Sequence, residues 1–266
     1  MSAAFYHCAL ITGASSGLGA EFARQLGGRC ETLVLAARRL DRLEALAARL
    51  TSRHPGLRVI PVAADLGTAE GRERVMAACT DAGLVPDLLV NNAGLGDYGE
   101  FADSDPQRVL EMLRINIEAL TLMTHDVLPG MIAAGKGDII QVSSLASLLA
   151  IPDFAVYAAT KAYVTSFSEA LRIELRDHGI HVTALCPGPV HTEFGEVARR
   201  GEGKKESSFR EWSYVDAEIV VAEALTGVAR NQPRVYPGLK IAAAAVLLGL
   251  LPVALVRLAM STRPRR

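Results

Sequence analysis

Tyr157 and Lys161 lie four residues apart in YAATK, within a run that otherwise has the pattern of a buried helix, FAVYAATKAYVTSFSEALRIEL. Tyrosine and lysine are both side chains that can transfer protons. Four residues along a helix return to the same face, so phenol and ammonium project together. Burying two long, polar-tipped side chains is costly unless something uses the tips. Taken alone, the pair also fits an amphipathic helix with two snorkelling side chains. Two further polar residues bear on the choice. Ser144 stands 13 residues before Tyr157, at the end of the apolar run GDIIQVSS. Asn116, in RINIEAL, interrupts an apolar helix face. It needs a buried partner, which the Lys161 region could supply through a backbone group or a water.

A second group of residues has the composition of a phosphate cradle. In TGASSGLG, Thr12 to Gly19, Gly13 can make a tight turn, Gly17 lets backbone approach a pyrophosphate and Gly19 lets a helix pack closely on a strand. The helix that starts there points its first N–H groups at the phosphates. The spacing is G-x-x-x-G-x-G rather than G-x-G-x-x-G, and the strand before and helix after argue for a cradle over a plain tight connection. About 20 residues past such a turn, an NAD enzyme usually sets Asp or Glu against the ribose 2′-hydroxyl. Here LAARRLDR puts Ala37 at that position, followed by Arg38 and Arg39. A guanidinium suits a 2′-phosphate, so NADP(H) is expected in preference to NAD(H). Asp65, in AADLG, is placed to accept from the adenine amino group. Asn92, Ala93 and Gly94 follow the fourth strand, where backbone could pass beneath the adenosine ribose.

These residues need a frame that brings them to one edge. Short apolar runs (CALITG, ETLVLAAR, LRVIPVAAD, DLLVNNAG, GDIIQVSS, IHVTALCPG) alternate with helical patterns. The runs are continuous rather than alternating, which marks strands covered on both faces, hence a parallel sheet. One helical pattern carries leucines at 40, 43, 46 and 50 on one face; another, with its N-cap at Ser104 or Asp105, is predicted to run unbroken through DPQRVLEMLRINIEALTLMTHDVLPGMIAA. The alternation predicts an α/β, doubly wound, Rossmann-like parallel sheet of about seven strands with helices on both faces. It is expected to form a single domain over 1–238. A polar, glycine-dotted stretch at about 193–215 has the character of a substrate lid, and 239–266 is an apolar C-terminal extension.

Composition narrows the function. The chain has 266 residues, a net charge of −1, half its residues apolar and 21% charged. No field of that size draws a protein onto nucleic acid. Cys8, Cys30, Cys79 and Cys186 are scattered through apolar runs without a C-x-x-C pair and read as reduced core thiols. The six histidines form no ligand spacing, so no metal site is expected. MSAAFYHC lacks the basic start and long apolar run of a signal peptide, and a cytoplasmic location follows as the expectation.

In order and spacing, TGASSGLG, NNAG, Asn116, Ser144, YAATK and PGPVHT resemble the short-chain dehydrogenases/reductases, and the resemblance covers the chain to about residue 192. It implies an NADP(H)-dependent oxidoreductase that interconverts a ketone and a secondary alcohol. The catalytic set it implies is Asn116, Ser144, Tyr157 and Lys161. Tyr157 is the general acid in reduction and the base in oxidation. Lys161, with the positive nicotinamide of the oxidised complex, lowers its pKa and also reaches the nicotinamide ribose, Ser144 polarises the carbonyl, and Asn116 holds a water that relays protons from Lys161. Cofactor contacts are expected from Gly13, Ser15, Ser16, Gly17, Leu18 and Gly19, from Arg38 and Arg39, and from Asp65 and Leu66. Further contacts are expected from Asn92, Ala93, Gly94, Tyr157 and Lys161, and from the PGPVHT turn through Pro187, Gly188, Val190 and Thr192. A homo-oligomer, dimer or tetramer, is expected. The competing reading is a non-catalytic NADP(H) sensor or scaffold on the same fold, which would be expected to lack the Tyr or the Lys.

The substrate is expected between the nicotinamide and three loops whose apolar members are Leu95, Tyr98, Phe101, Leu145, Leu148, Leu149, Ile151, Phe154, Phe194 and Trp212. That lining favours an apolar carbonyl: a 3-oxoacyl chain, a steroid or a similar lipid-like ketone. The lid's RRGEGKK could instead meet the phosphate of a carrier-linked substrate. The last run, LKIAAAAVLLGLLPVALVRLAM, has an uncharged core of 16 residues, Ile241–Val256, broken by Pro252. That falls short of the roughly 20 residues a spanning helix needs. It is left with three places: an oligomer interface, a peripheral membrane contact, or the core. Against the membrane stands the lack of the polar face that an interfacial helix shows.

Overall fold

The computed structural model describes residues 5–198 and 214–261. The strands are β1 (Tyr6–Thr12), β2 (Cys30–Ala37), β3 (Arg58–Ala63), β4 (Leu88–Asn91), β5 (Gly137–Val142), β6 (Ile180–Leu185) and the short β7 (Arg234–Val235). They form one parallel sheet in the order β3-β2-β1-β4-β5-β6-β7. Between them run α1 (Gly17–Leu26), α2 (Leu40–Arg53), α3 (Ala69–Asp81), α4 (Pro106–Leu113), α5 (Leu120–Ala134) and α6 (Ala155–Glu174). The C-terminal part carries α7 (Glu193–Ala198), α8 (Ala217–Ala229), α9 (Leu239–Leu250) and α10 (Val253–Ser261). The expected doubly wound sheet is the observed one, and the strand order reverses direction between β1 and β4, the crevice where such sheets bind ligands.

Continuous apolar strands do here what that pattern predicts. Alternate side chains of β1 and β2 enter opposite layers: Ile11, Leu33 and Leu35 pack with Phe22, Leu26, Leu43 and Val220 on one face, and Leu10 and Val34 with Val75, Met123, Met131 and Leu171 on the other. Of the four leucines predicted for the face of α2, Leu43, Leu46 and Leu50 are buried and Leu40 is partly exposed, because it occupies the first position of the helix. Thr68 caps α3 by accepting from the Gly71 N–H, and Asp105 caps α4 by accepting from the Gln107 N–H, with Pro106 following at the first turn.

One predicted element differs. The helix expected to run unbroken from residue 105 is interrupted by a π-helical turn, Arg114–Ala119, between α4 and α5. Asn116 sits in that turn, fully buried. A π turn widens the helix by one residue per turn and is found mostly where a side chain has a special task.

Candidate active site

Three sets of residues meet at the carboxyl edge of the sheet around one cavity of about 760 Å³. At one end is the turn between β1 and α1. Gly13 and Gly17 adopt φ of +64° and +53°, backbone that a side chain would strain. A Cβ at Gly13 would stand 2.9 Å from the Ala93 Cα, and one at Gly19 would stand 2.3 Å from the Gly13 carbonyl oxygen. Gly19 therefore lies behind the turn and does not line the cavity. The Ser16 side chain makes no cap to α1, and the first turn of α1 has no acidic residue. Its N–H groups are left for an anion, as a pyrophosphate needs.

The turn is fastened to the next loop by Asn92 and Ala93, expected as cofactor contacts, and by the Thr12 hydroxyl, for which no role was expected. The Thr12 hydroxyl accepts from the Asn92 and Ala93 N–H groups and donates to the Val90 carbonyl. The Asn92 side-chain amide donates to the carbonyls of Thr12 and Gly13. Past the end of β2, Arg38 pairs with Glu111 at 2.8 Å, while Arg39 donates to the hydroxyls of Ser15 and Ser16 and pairs with Glu193 at 2.9 Å. The two arginines flank the cavity at the expected position, each already holding a carboxylate. Arg42 holds the other oxygen of Glu193. These two guanidinium groups keep the Glu193 carboxyl below its ordinary pKa.

At the other end are Ser144, Tyr157 and Lys161, all lining the cavity. β5 delivers Ser144, whose hydroxyl accepts from the Ala146 N–H and so caps the 3-10 turn Leu145–Leu148. α6 delivers the other two. The Tyr157 ring stacks on Phe154, with centroids 4.2 Å apart, and meets Phe194 of α7 at 5.5 Å. Enclosed in this way, the phenol is pushed up to about 12 by burial, against which the Ser144 hydroxyl works. The Lys161 Nζ lies 5.6 Å from the centre of that ring and donates to the Val142 carbonyl at 2.7 Å. Burial brings its pKa down to about 8. In the protein by itself the ammonium is tied to β5, and burial is the first cause of the shift at both groups.

Asn116 does not line the cavity. Its Oδ1 accepts from the Leu95 N–H at 2.8 Å, and its Nδ2 donates to the Leu95 carbonyl and the Thr160 hydroxyl. The buried partner expected near Lys161 is thus Thr160, its neighbour, together with the loop after β4. Asp65, Leu66, Asn92, Ala93, Gly94, Pro187, Gly188, Val190 and Thr192 all line the cavity. Asp65 Oδ1 accepts from the Gly67 N–H.

Of the predicted substrate loops, Leu95, Tyr98, Leu145, Leu149, Ile151, Phe154 and Phe194 line the cavity, but Phe101 and Leu148 do not. Phe101 begins a short 3-10 turn and points outward, 65% exposed. Of the 193–215 stretch, 193–198 is α7, and Val215 bridges to Val190 beside the cavity; residues 199–213, with Trp212 and RRGEGKK, lie outside the described residues. Sequence reasoning also missed Val197, Ala198 and Tyr214 in the lining, and Lys240, Ile241 and Ala244 of α9. The four-residue spacing of Ile241 and Ala245, both buried, was a signal in the last run, but leucines on every side masked it.

The family model described as short chain dehydrogenase matches residues 7–203. The chain is a short-chain dehydrogenase. The dehydrogenase is 35% identical over 231 residues to a sulfoacetaldehyde reductase of Chromohalobacter salexigens, covering 86% of this chain and 90% of that one. Among solved structures it is similar to a short-chain dehydrogenase from Sphingobium yanoikuyae in complex with NADPH, at 30% identity and a TM-score of 0.79, over 98% of this chain and 97% of that one. It is also similar to the bulky-bulky ketone specific alcohol dehydrogenase from Comamonas testosteroni, at 28% identity and a TM-score of 0.76, over 98% and 95% of the two chains. The dehydrogenase is accordingly an oxidoreductase of the CH–OH and carbonyl class that works with a nicotinamide cofactor.

Proposed function

We propose that the dehydrogenase interconverts a ketone and a secondary alcohol on an apolar, lipid-like substrate, a 3-oxoacyl chain, a steroid or a similar carbonyl, and takes NADP(H) in preference to NAD(H). The observation that carries the reading is that Ser144, Tyr157 and Lys161 share one cavity with the glycine turn and the Arg38–Arg39 pair. Its substrate end is walled by Leu95, Tyr98, Leu149, Ile151, Phe154 and Phe194. The cofactor preference is supported by the two guanidinium groups at the end of β2, and by the NADPH held by the Sphingobium yanoikuyae relative. The substrate class is supported by the apolar wall, and by the bulky ketones named for the Comamonas testosteroni relative.

Each role follows from the local chemistry. When bound, the reduced cofactor supplies a hydride to the carbonyl carbon. Ser144 donates a hydrogen bond to the carbonyl oxygen and polarises it. Tyr157, protonated at any working pH with its pKa near 12, gives its O–H proton to that oxygen as the C–O double bond becomes a single bond. In the reverse direction the phenolate must form, and a positive charge beside Tyr157 favours it. Lys161 supplies that charge when its Nζ leaves the Val142 carbonyl. Asn116, with both N–H donors engaged, is read as a positioning residue that holds the loop after β4 against α6. Within the described residues, α7 is read as the part of the lid whose Phe194 covers the phenol.

Tyr157→Phe tests the reading. Loss of the proton donor is expected to lower kcat by about a thousandfold, with NADPH binding, followed by fluorescence titration, within about twofold. Turnover is read from NADPH absorbance over a panel of ketones and 3-oxoacyl thioesters. A variant with full rate would sink the mechanism, and a wild type inert on every carbonyl would favour the sensor reading.

A further inference from the structure

α9 is apolar on both of its faces. Ile241 and Ala245 are buried, and the helix packs against the 3-10 turn Leu145–Leu148 that Ser144 caps. Lys240, Ile241 and Ala244 line the active-site cavity. At about 100° per residue, Leu239, Ala243, Val246, Leu247 and Leu250 then fall together within an arc of about 100° on the opposite face. Leu239 is 91% exposed, Leu250 78%, and Val246 and Leu247 about 60% each. α10, turned off by Pro252, adds exposed Leu255 and Leu258. A soluble helix normally sets charges on the face away from its core; here six large aliphatic side chains stand in their place.

The charge of the same segment selects what could cover this face. Residues 239–266 contain Lys240, Arg257, Arg263, Arg265 and Arg266 and no Asp or Glu. The chain as a whole is at −1, so the segment is strongly basic against an acidic remainder. A second copy of the same basic segment would meet it with like charge. An anionic lipid surface offers both complements, acyl chains for the leucines and headgroups for the cations. No helix among the described residues is long and apolar enough to cross a membrane. With 12 residues α9 reaches about 18 Å, against a hydrocarbon core of about 30 Å, so it would lie in the interface. The polar face that an interfacial helix ordinarily turns to water is replaced here by the body of the enzyme.

We propose that α9 and α10 are an anchor for anionic lipid surfaces, and that the active-site cavity is walled by this anchor so that an apolar carbonyl reaches it from the bilayer. The anchor itself is independent of turnover; only the delivery of substrate rests on the carbonyl reading proposed above.

The full chain is sedimented with vesicles of phosphatidylcholine, with and without phosphatidylglycerol. Binding is expected to need the anionic lipid and to weaken with salt. Leu247→Glu with Leu250→Glu, both outside the cavity lining, is expected to lower the partition coefficient by about tenfold or more. NADPH titration and turnover of a water-soluble ketone are expected to stay unchanged, while turnover of a long-chain ketone carried in the vesicles falls. Should that pair of changes unfold the protein, Leu250→Trp provides an independent reading: brominated lipid should quench its fluorescence. A wild type left in the supernatant, or a double variant that sediments as the wild type does, overturns the anchor. A wild-type dimer that ignores vesicles and becomes monomeric in the double variant assigns the face to a second copy and overturns it equally. Vesicle binding with unaltered turnover of the embedded ketone overturns the delivery step alone.

Discussion

Lys161 is held at a cost that its pKa records. Burial brings it from an ordinary 10.5 to about 8, so the folded protein favours the neutral amine. A depressed pKa contributes stability that is fully present above the unfolded value of 10.5 and is lost as pH falls through about 8. The ammonium form present at neutral pH is thus worth about 3 kcal/mol less to folding than the amine would be. Replacing it by an uncharged chain of similar length removes this dependence. Lys161→Met is expected to lose turnover, yet its stability should gain on the wild type steadily as pH is lowered from 10 to 7.5, by about 2–3 kcal/mol. Urea unfolding at a series of pH values checks it, since the missing bond to the Val142 carbonyl shifts the variant equally at every pH. Parallel curves would show that the ammonium is not penalised by its site. The spacing of YAATK made the pair of Tyr157 and Lys161 legible in the sequence, because helix periodicity alone fixes it. The bond of Lys161 to Val142 was not legible, since it joins α6 to a strand 19 residues away.

Among elements, the helix from Asp105 to Ala134 was legible in its limits and illegible in its middle. Capping by Asp105 and termination at Gly135, with φ of +64°, are local signals. The π turn at Arg114–Ala119 is not, because it is set by what Asn116 must reach: the Leu95 backbone and Thr160. Asn116→Ala leaves the Leu95 N–H and carbonyl without those partners. It is expected to cost about 2–4 kcal/mol in unfolding free energy, and to raise the KM for NADPH before kcat falls, through the Asn92–Leu95 loop. A loss confined to kcat would return Asn116 to the proton relay. α7 carries the other element-scale consequence. Glu193 occupies Arg39 and Arg42, and Arg39 is the one that also donates to the hydroxyls of Ser15 and Ser16. On the proposed NADP(H) reading, a 2′-phosphate competes with that carboxylate for Arg39. Exposed ion pairs are worth about 0.2–1 kcal/mol, so Glu193→Gln is expected to tighten NADPH by about two- to fivefold without changing NADH. Arg39→Ala should do the reverse for NADPH. Equal effects on both dinucleotides would remove the 2′-phosphate from Arg39.

For the molecule as a whole, the parallel sheet and its doubly wound layers were legible because runs such as CALITG and GDIIQVSS are apolar without alternation, and only a sheet covered on both faces accommodates them. The C-terminal segment resisted the same logic. Its apolar residues are more numerous than any one face can hold, so the spacing that marks Ile241 and Ala245 is hidden among leucines with equal claim to turn inward. The structure turns Ile241 and Ala245 in, and Lys240, Ile241 and Ala244 make α9 part of the cavity wall rather than an appendage. Deleting residues 239–266 separates the two descriptions. The seven strands and the glycine turn lie outside the deletion, so NADPH affinity should change by less than about twofold, while loss of the buried Ile241 and Ala245 should cost about 2–4 kcal/mol of stability. With Lys240, Ile241 and Ala244 gone, the cavity opens beside the turn that Ser144 caps, and the KM for a long apolar ketone should rise by about tenfold, with a small ketone little affected. Steady-state kinetics on the two ketones, alongside a thermal melt, read all three quantities. If both ketones keep their KM, α9 is a surface feature and the cavity is closed by α7 and the loops alone.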